Sequence, residues 1–191
     1  TCSFYAQPPG NWVTDANCSN AAVDGQDAEI RAGVNITPRF IRANGVVQDQ
    51  VTGLNWLRNA DCAGITANWG DALGYVTELN TDGNMAGNDC ADSSAAGGNH
   101  QTDWRLPNIK ELQTLFDYGF HGSPFLPDTT GSGQWSETDP FTGVKTDFAY
   151  WSSTTYGIVL DDALRANLDD GSTDWTSKAA TQHVWAVRDS D

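Results

Sequence analysis

Basic side chains are scarce in this chain of 191 residues. Its 10 Lys and Arg stand against 25 Asp and Glu, for a formal net charge of −15 and a sequence pI near 4.2. Binding a phosphate backbone needs a basic face, so nucleic acid is argued against. The same deficit argues against docking on anionic lipid and against sulfated or other polyanionic ligands. No apolar run approaches the ~20 residues of a spanning helix, so no membrane span is expected. There is no C-x-x-C pair and no H-E-x-x-H spacing, and His100, His121 and His183 are scattered, so a catalytic zinc has no obvious ligand set. No G-x-S-x-G context surrounds Ser152 and Ser153, which leaves a serine nucleophile without its usual setting. Charged residues make up only 18 %, too few for a solvated disordered chain.

Several residue types are abundant. The acids are 21 Asp and only 4 Glu, and 19 Gly accompany them. Asp disfavours helix interiors and favours turns and caps, because its short carboxylate bonds nearby backbone N–H groups. The composition therefore predicts a loop-rich domain with few helices. Eight Trp are present, and most are expected in the core, since each indole buries a large apolar area.

The four cysteines, Cys2, Cys18, Cys62 and Cys90, are widely spaced and even in number. In an acidic, Lys-poor chain this suggests disulfides and export. Three pairings exist, and the expected one is Cys2–Cys18 with Cys62–Cys90, the two local loops. Four reduced, buried thiols are the alternative. A start at Thr1 without Met leads to the expectation of a mature chain whose leader has been removed.

Residues 1–43 show no sustained period and read as an irregular or short-stranded N-terminal extension. The segment 45–57 contains two short apolar runs around Thr52-Gly53, a hairpin signal. Asn68 is placed to cap a helix bearing Trp69, Ala72, Leu73, Val76 and Leu79 at helical spacing, with Asp71 three residues on. Asn108 and Glu111 announce a second helix with Ile109, Leu112, Leu115 and Phe116 as its buried stripe. Residues 80–103 and 117–147 read as long loops. Strands are expected at Tyr150–Thr154, Leu164–Leu168 and Val184–Arg188, with Trp175 in a polar loop. Two helices among short strands make an α+β domain.

Five stretches, in order, resemble one bacterial family. They are GVVQDQVTGLNWLRNADC (45–62), the helix from Trp69, DWRLPNIKELQTLFDYG (103–119), YWSSTTY (150–156) and VWAVRDS (184–190). The resemblance is to the Legionella collagen-like protein C-terminal domain family, and it covers about residues 44–190. The resemblance implies a C-type-lectin-like fold, similar to that of the formylglycine-generating enzyme. That means two helices, a small mixed and mostly antiparallel sheet, and long loops carrying variable surface, within a domain spanning 44–191. It also implies residence on secreted or surface proteins. One member is implicated in adhesion to host glycosaminoglycans, but a charge of −15 speaks against carrying that ligand over. The enzyme relatives use cysteines for their chemistry, and no Cys follows Cys90 here.

The residues themselves suggest a scaffold. Trp104 and Leu106 are expected to anchor the start of the second helix, and Trp151 and Trp185 to be core strand positions. Arg105 is expected to pair with a buried carboxylate or carbonyl; a ligand clamp is the alternative. Trp135 and Trp175 lie in polar, Gly-rich stretches and are either loop anchors or exposed platforms. As platforms they form the expected binding face, with Asp128, Asp169 and Asp170 as hydrogen-bonding groups. Calcium is the one cofactor considered: Asn80, Asp82 and Asn84 alternate as oxygen ligands would, with Asp89 and Asp92 near, and Asp161-Asp162 and Asp169-Asp170 are two further candidates. The competing reading is that all of these are turn residues.

The leading expectation is a non-catalytic, extracellular or cell-surface recognition domain that takes a neutral glycan or a protein. The alternative is a structural subunit that assembles with copies of itself. In that case Phe4, Tyr5, Trp12 and Val13 of the extension would dock on a neighbour by strand addition. An enzyme is the last of the three readings.

Overall fold

The computed structural model describes residues 2–7, 11–15, 36–43, 45–90, 100–119 and 122–190. The strands of the first half are β1 (Cys2–Gln7), β2 (Asn11–Asp15), β3 (Phe40–Ala43), β4 (Val46–Asp49), β5 (Leu54–Leu57), β6 (Asn84–Met85) and β7 (Asn88–Asp89). Those of the second half are β8 (Tyr150–Thr155), β9 (Asp162–Asn167), β10 (Ser172–Ser177) and β11 (Val187–Asp189). The helices are α1 (Trp69–Asp82) and α2 (Ile109–Thr114).

The expected single sheet resolves into separate antiparallel ladders. One is four-stranded in the order β11-β5-β4-β3, one three-stranded in the order β10-β9-β8, and β1-β2 and β6-β7 are two-stranded ribbons. Among the described residues, parallel pairing is confined to isolated bridges, Asn59 with Thr142 and Tyr150 with His183. Two helices and small antiparallel sheets make the α+β domain read from the sequence.

Local signals place the helices. The Asn68 side chain accepts from the Asp71 N–H at 2.9 Å, and α1 ends where Gly83 takes φ 82° and donates to the Leu79 carbonyl. That left-handed geometry suits glycine, which carries no Cβ. Asn108 and Glu111 form a full capping box on α2. Residues 80–103 are not one loop: α1 runs to Asp82, and Asn84–Asp89 folds back as the β6-β7 ribbon.

Two strand expectations shift. The last strand begins at Val187 rather than Val184, because Val184–Ala186 is buried all round: the Ala186 carbonyl accepts from Leu57 N–H and the Trp185 indole donates to the Leu57 carbonyl. Trp175 lies inside β10, not in a loop.

The core joins the two larger sheets through Trp185. Its ring meets Trp56 of β5 at 5.1 Å, Phe141 of the 115–149 segment at 4.8 Å and Tyr150 of β8 at 5.4 Å. Phe141 in turn meets Phe40 of β3 edge-on at 5.3 Å. Trp151 is also fully buried and donates its indole N–H to the Ala67 carbonyl at 2.7 Å. Cys62 and Cys90 form the expected disulfide across 28 residues of sequence and tie the turn before α1 to the end of β7. Cys18 lies outside the described residues, and so does the Cys2–Cys18 pairing.

Trp185→Ala is expected to remove about 3–5 kcal/mol of unfolding free energy, read by denaturant titration. Cys62→Ser with Cys90→Ser is expected to remove about 3 kcal/mol, since a closed loop restricts the unfolded chain. The double variant should melt lower than the oxidised protein and show a smaller fall than wild type when reductant is added.

Candidate recognition surface

The motif residues form a brace beneath the surface. Arg105 presents both terminal nitrogens to Glu111, at 2.7 and 2.8 Å, and one of them to Asp189 at 2.8 Å. The Glu111 hydrogen bond holds the guanidinium more firmly charged than usual. Glu111 also accepts from the Asn108 N–H, and Arg105 and Val187 exchange backbone bonds, so one side chain joins α2, its cap and β11. Trp104 is buried, and its backbone is clamped by the Asn80 side chain through two 2.8 Å bonds.

A second polar group is internal. His183 is buried between two carboxylates, with Nδ1 3.2 Å from Asp61 and Nε2 3.0 Å from Asp147. Lys145 reaches Asp61 at 3.3 Å, and the Lys145 N–H donates to the Tyr150 hydroxyl at 2.8 Å. Burial pushes the Tyr150 phenol far above its ordinary range. Both imidazole nitrogens are engaged, and the arrangement pins the 144–149 segment onto the turn before α1. Sequence spacing offered no hint of it, because its members lie at 61, 147 and 183. Ser152 is buried and donates to the Leu164 carbonyl at 2.7 Å, so its hydroxyl faces a backbone oxygen rather than an imidazole.

The acidic candidates serve their own turns. Asp128 accepts from the Gly131 N–H at 2.9 Å and the Thr130 hydroxyl at 2.7 Å. Asp170 accepts from the Ser172 N–H at 2.9 Å, and its bonds to Ser172 hold its carboxyl below the usual range. Asp169 follows in the same β9–β10 turn and donates its N–H to the Asn167 side chain. Asp82 accepts from the Asn84 N–H at 3.1 Å, and Asn84 opposes Asp89 across the β6-β7 ribbon. Among the described residues no group of three or more His, Cys, Asp and Glu is arranged to hold a metal ion. Asp92 lies outside them.

The two loop tryptophans part company. Trp135 packs on the core, and its indole donates to the Phe141 carbonyl at 3.3 Å. Trp175 stays 52 % exposed and lies flat against Tyr156, ring centroids 4.6 Å apart and planes 9° from parallel. Beside this stack the β8–β9 turn exposes Ile158 at 81 % and Leu160 at 72 %, with Val159 between them. Lys178 holds the turn from below, donating to the Thr155 hydroxyl at 2.9 Å and the Leu160 carbonyl at 2.8 Å while lying 4.4 Å over the Trp69 ring. Asp174, next to Trp175, is neutralised by Arg165 at 2.6 Å. The result is an exposed aromatic and aliphatic patch, with the exposed Asp161 at its edge. Three consecutive exposed apolar residues beside an exposed indole mark a candidate interaction site. Tyr156 lies outside the contact loops expected from the sequence, 117–147 and 157–178, while Ile158–Leu160 lie inside the second without having been singled out. A three-residue apolar run after Gly157 looks like buried strand until its exposure is known.

The His183 hydrogen bond lowers the Asp147 carboxyl below its ordinary value. A depressed acid contributes stability above its unfolded-state value, and loses it as pH falls through the folded one. In His183→Leu the Asp147 titration, followed by NMR, is expected to move upward toward the ordinary value.

Residues 45–188 match the sequence profile of the Lcl C-terminal domain. No curated protein matches the chain. None of the helices among the described residues is long and apolar enough to cross a membrane. The match spans most of the chain and takes in α1, α2, the Arg105 brace and the Tyr156–Trp175 surface, so the chain belongs to the Lcl C-terminal domain family, a surface-associated family.

Proposed function

We propose that this chain is a non-catalytic recognition domain displayed outside the cell, and that the Tyr156–Trp175 stack with the Ile158–Leu160 turn is its contact face. One observation carries the reading: Ile158–Leu160, the one run of consecutive exposed large hydrophobic residues among the described residues, stands beside the half-exposed Tyr156–Trp175 stack. Trp and Tyr are the residue types that supply contact energy at such faces. The partner is a neutral glycan or a protein, copies of this chain among them, because a net charge of −15 repels polyanions. The Cys62–Cys90 disulfide suits an oxidising compartment. The reading assigns calcium no role; Asp82, Asp128 and Asp170 each accept a turn N–H.

Trp175→Ala and Leu160→Asp are expected to weaken binding on a glycan array, or to the intact producing-cell surface, by at least about 10-fold while leaving the melting temperature unchanged. Binding that survives both substitutions would sink the reading, as would turnover on a panel of hydrolase substrates.

A further inference from the structure

The geometry points to a second copy of this chain as a partner: the β1-β2 ribbon of one copy adds to the open edge of β10 in the next. This rests on the reading of the chain as an interaction domain and names one occupant of its exposed face.

Charge provides the first argument. The chain holds 25 acids, yet none of its first fourteen residues carries a charged side chain; the first is Asp15. Two copies at −15 each repel, so a stable contact between them must be made by uncharged surface. The ribbon supplies six residues in β1 and five in β2, and the uncharged stretch covers all of them but Asp15. On the receiving side, the only charge in β10 is Asp174, already paired with Arg165.

The ribbon also lacks a sheet. Phe4 opposes Val13 in its register, and among the described residues it joins no other strand. It lies before the family match, which begins at residue 45. An isolated two-stranded ribbon is marginal in water and gains stability by extending a sheet.

The third argument is the edge. β10 is the outer strand of its sheet, and its register with β9 runs unbroken from Ser172–Asn167 to Ser177–Asp162. The Lys178 N–H bonds the Asp161 carbonyl, so by antiparallel alternation Thr173 and Trp175 turn their backbone groups outward. Among the described residues no strand or bridge pairs with the outer side of β10, whereas β8 receives Pro107 and His183, β11 receives Arg105, and Phe40 of β3 donates to Thr129. Natural edge strands are blunted by Pro, Lys or a bulge. β10, with sequence STDWTS, has none of these. Donation by one surface to a different surface of the next copy is a head-to-tail contact, which builds an open filament or, where the rotation between copies closes, a ring.

The test uses the full chain, with light scattering and electron microscopy over a concentration series. Assemblies well above the 20.6 kDa monomer are expected. Thr173→Pro removes an outward N–H without touching the ladder to β9 and is expected to leave a monomer, as is deletion of residues 1–15. Trp175→Lys is the second edge block should Thr173→Pro melt early. Mixed one to one, the deletion variant and the edge-blocked variant are expected to form a heterodimer, one supplying the edge and the other the ribbon. A wild type that stays monomeric overturns the inference, as do assemblies that survive either change, a dimer that needs only β10, or two variants that fail to pair. Binding of a foreign ligand by the deletion variant reports separately on the recognition face, which that deletion leaves intact.

Discussion

Everything on the surface depends on the seating of Trp185. Its ring is the meeting point of β5, β8 and the long 115–149 segment, and its indole N–H is satisfied by the Leu57 carbonyl. A domain of short strands cannot bury enough area within any one sheet, so it must share a core between sheets. Aromatic rings are suited to that task, because one side chain can touch three elements at once. The flanking Val184 and Ala186 are buried as well, which is why the chain cannot alternate there and the last strand starts late.

Polar chemistry in this protein is directed mainly inward, toward its own backbone. Arg105 joins the α2 cap to β11, Asn80 clamps Trp104, and His183 bridges two carboxylates from distant segments. Each of these ties a loop to the scaffold, and each is the kind of group that would otherwise be available to a ligand. The exposed stack of Tyr156, just after β8, on Trp175 of β10 takes no part in this bracing. The division lets contact residues change while the Arg105 brace and the Trp185 core stay as they are.

What the sequence made legible was local. The caps at Asn68 and Asn108 and the hairpin turn at Thr52-Gly53 are decided by residues within a few positions of each other, and all three stand where they were expected. The family motifs were legible too, since DWRLPN and YWSST form a fixed order. Partition into separate sheets was not, because short strands of similar composition carry no record of their partners. Nor was the fate of the tryptophans: Trp135 and Trp175 have similar neighbours in sequence, and only the nearby Phe141 carbonyl and the core draw the first inward. The Asp-rich turns gave an ambiguous signal for the same reason, as a carboxylate that caps its own turn and one that awaits a ligand look alike in sequence.

The Cys62–Cys90 link has a mechanical consequence for a chain under tension. The bridge closes 28 residues, α1 among them, into a loop that tension cannot open. At roughly 3.6 Å per extended residue, about 100 Å of contour length is withheld from any stretched chain. Drag on an anchored molecule would therefore lengthen it less before the load reaches the covalent bridge, and α1 would stay out of the load path.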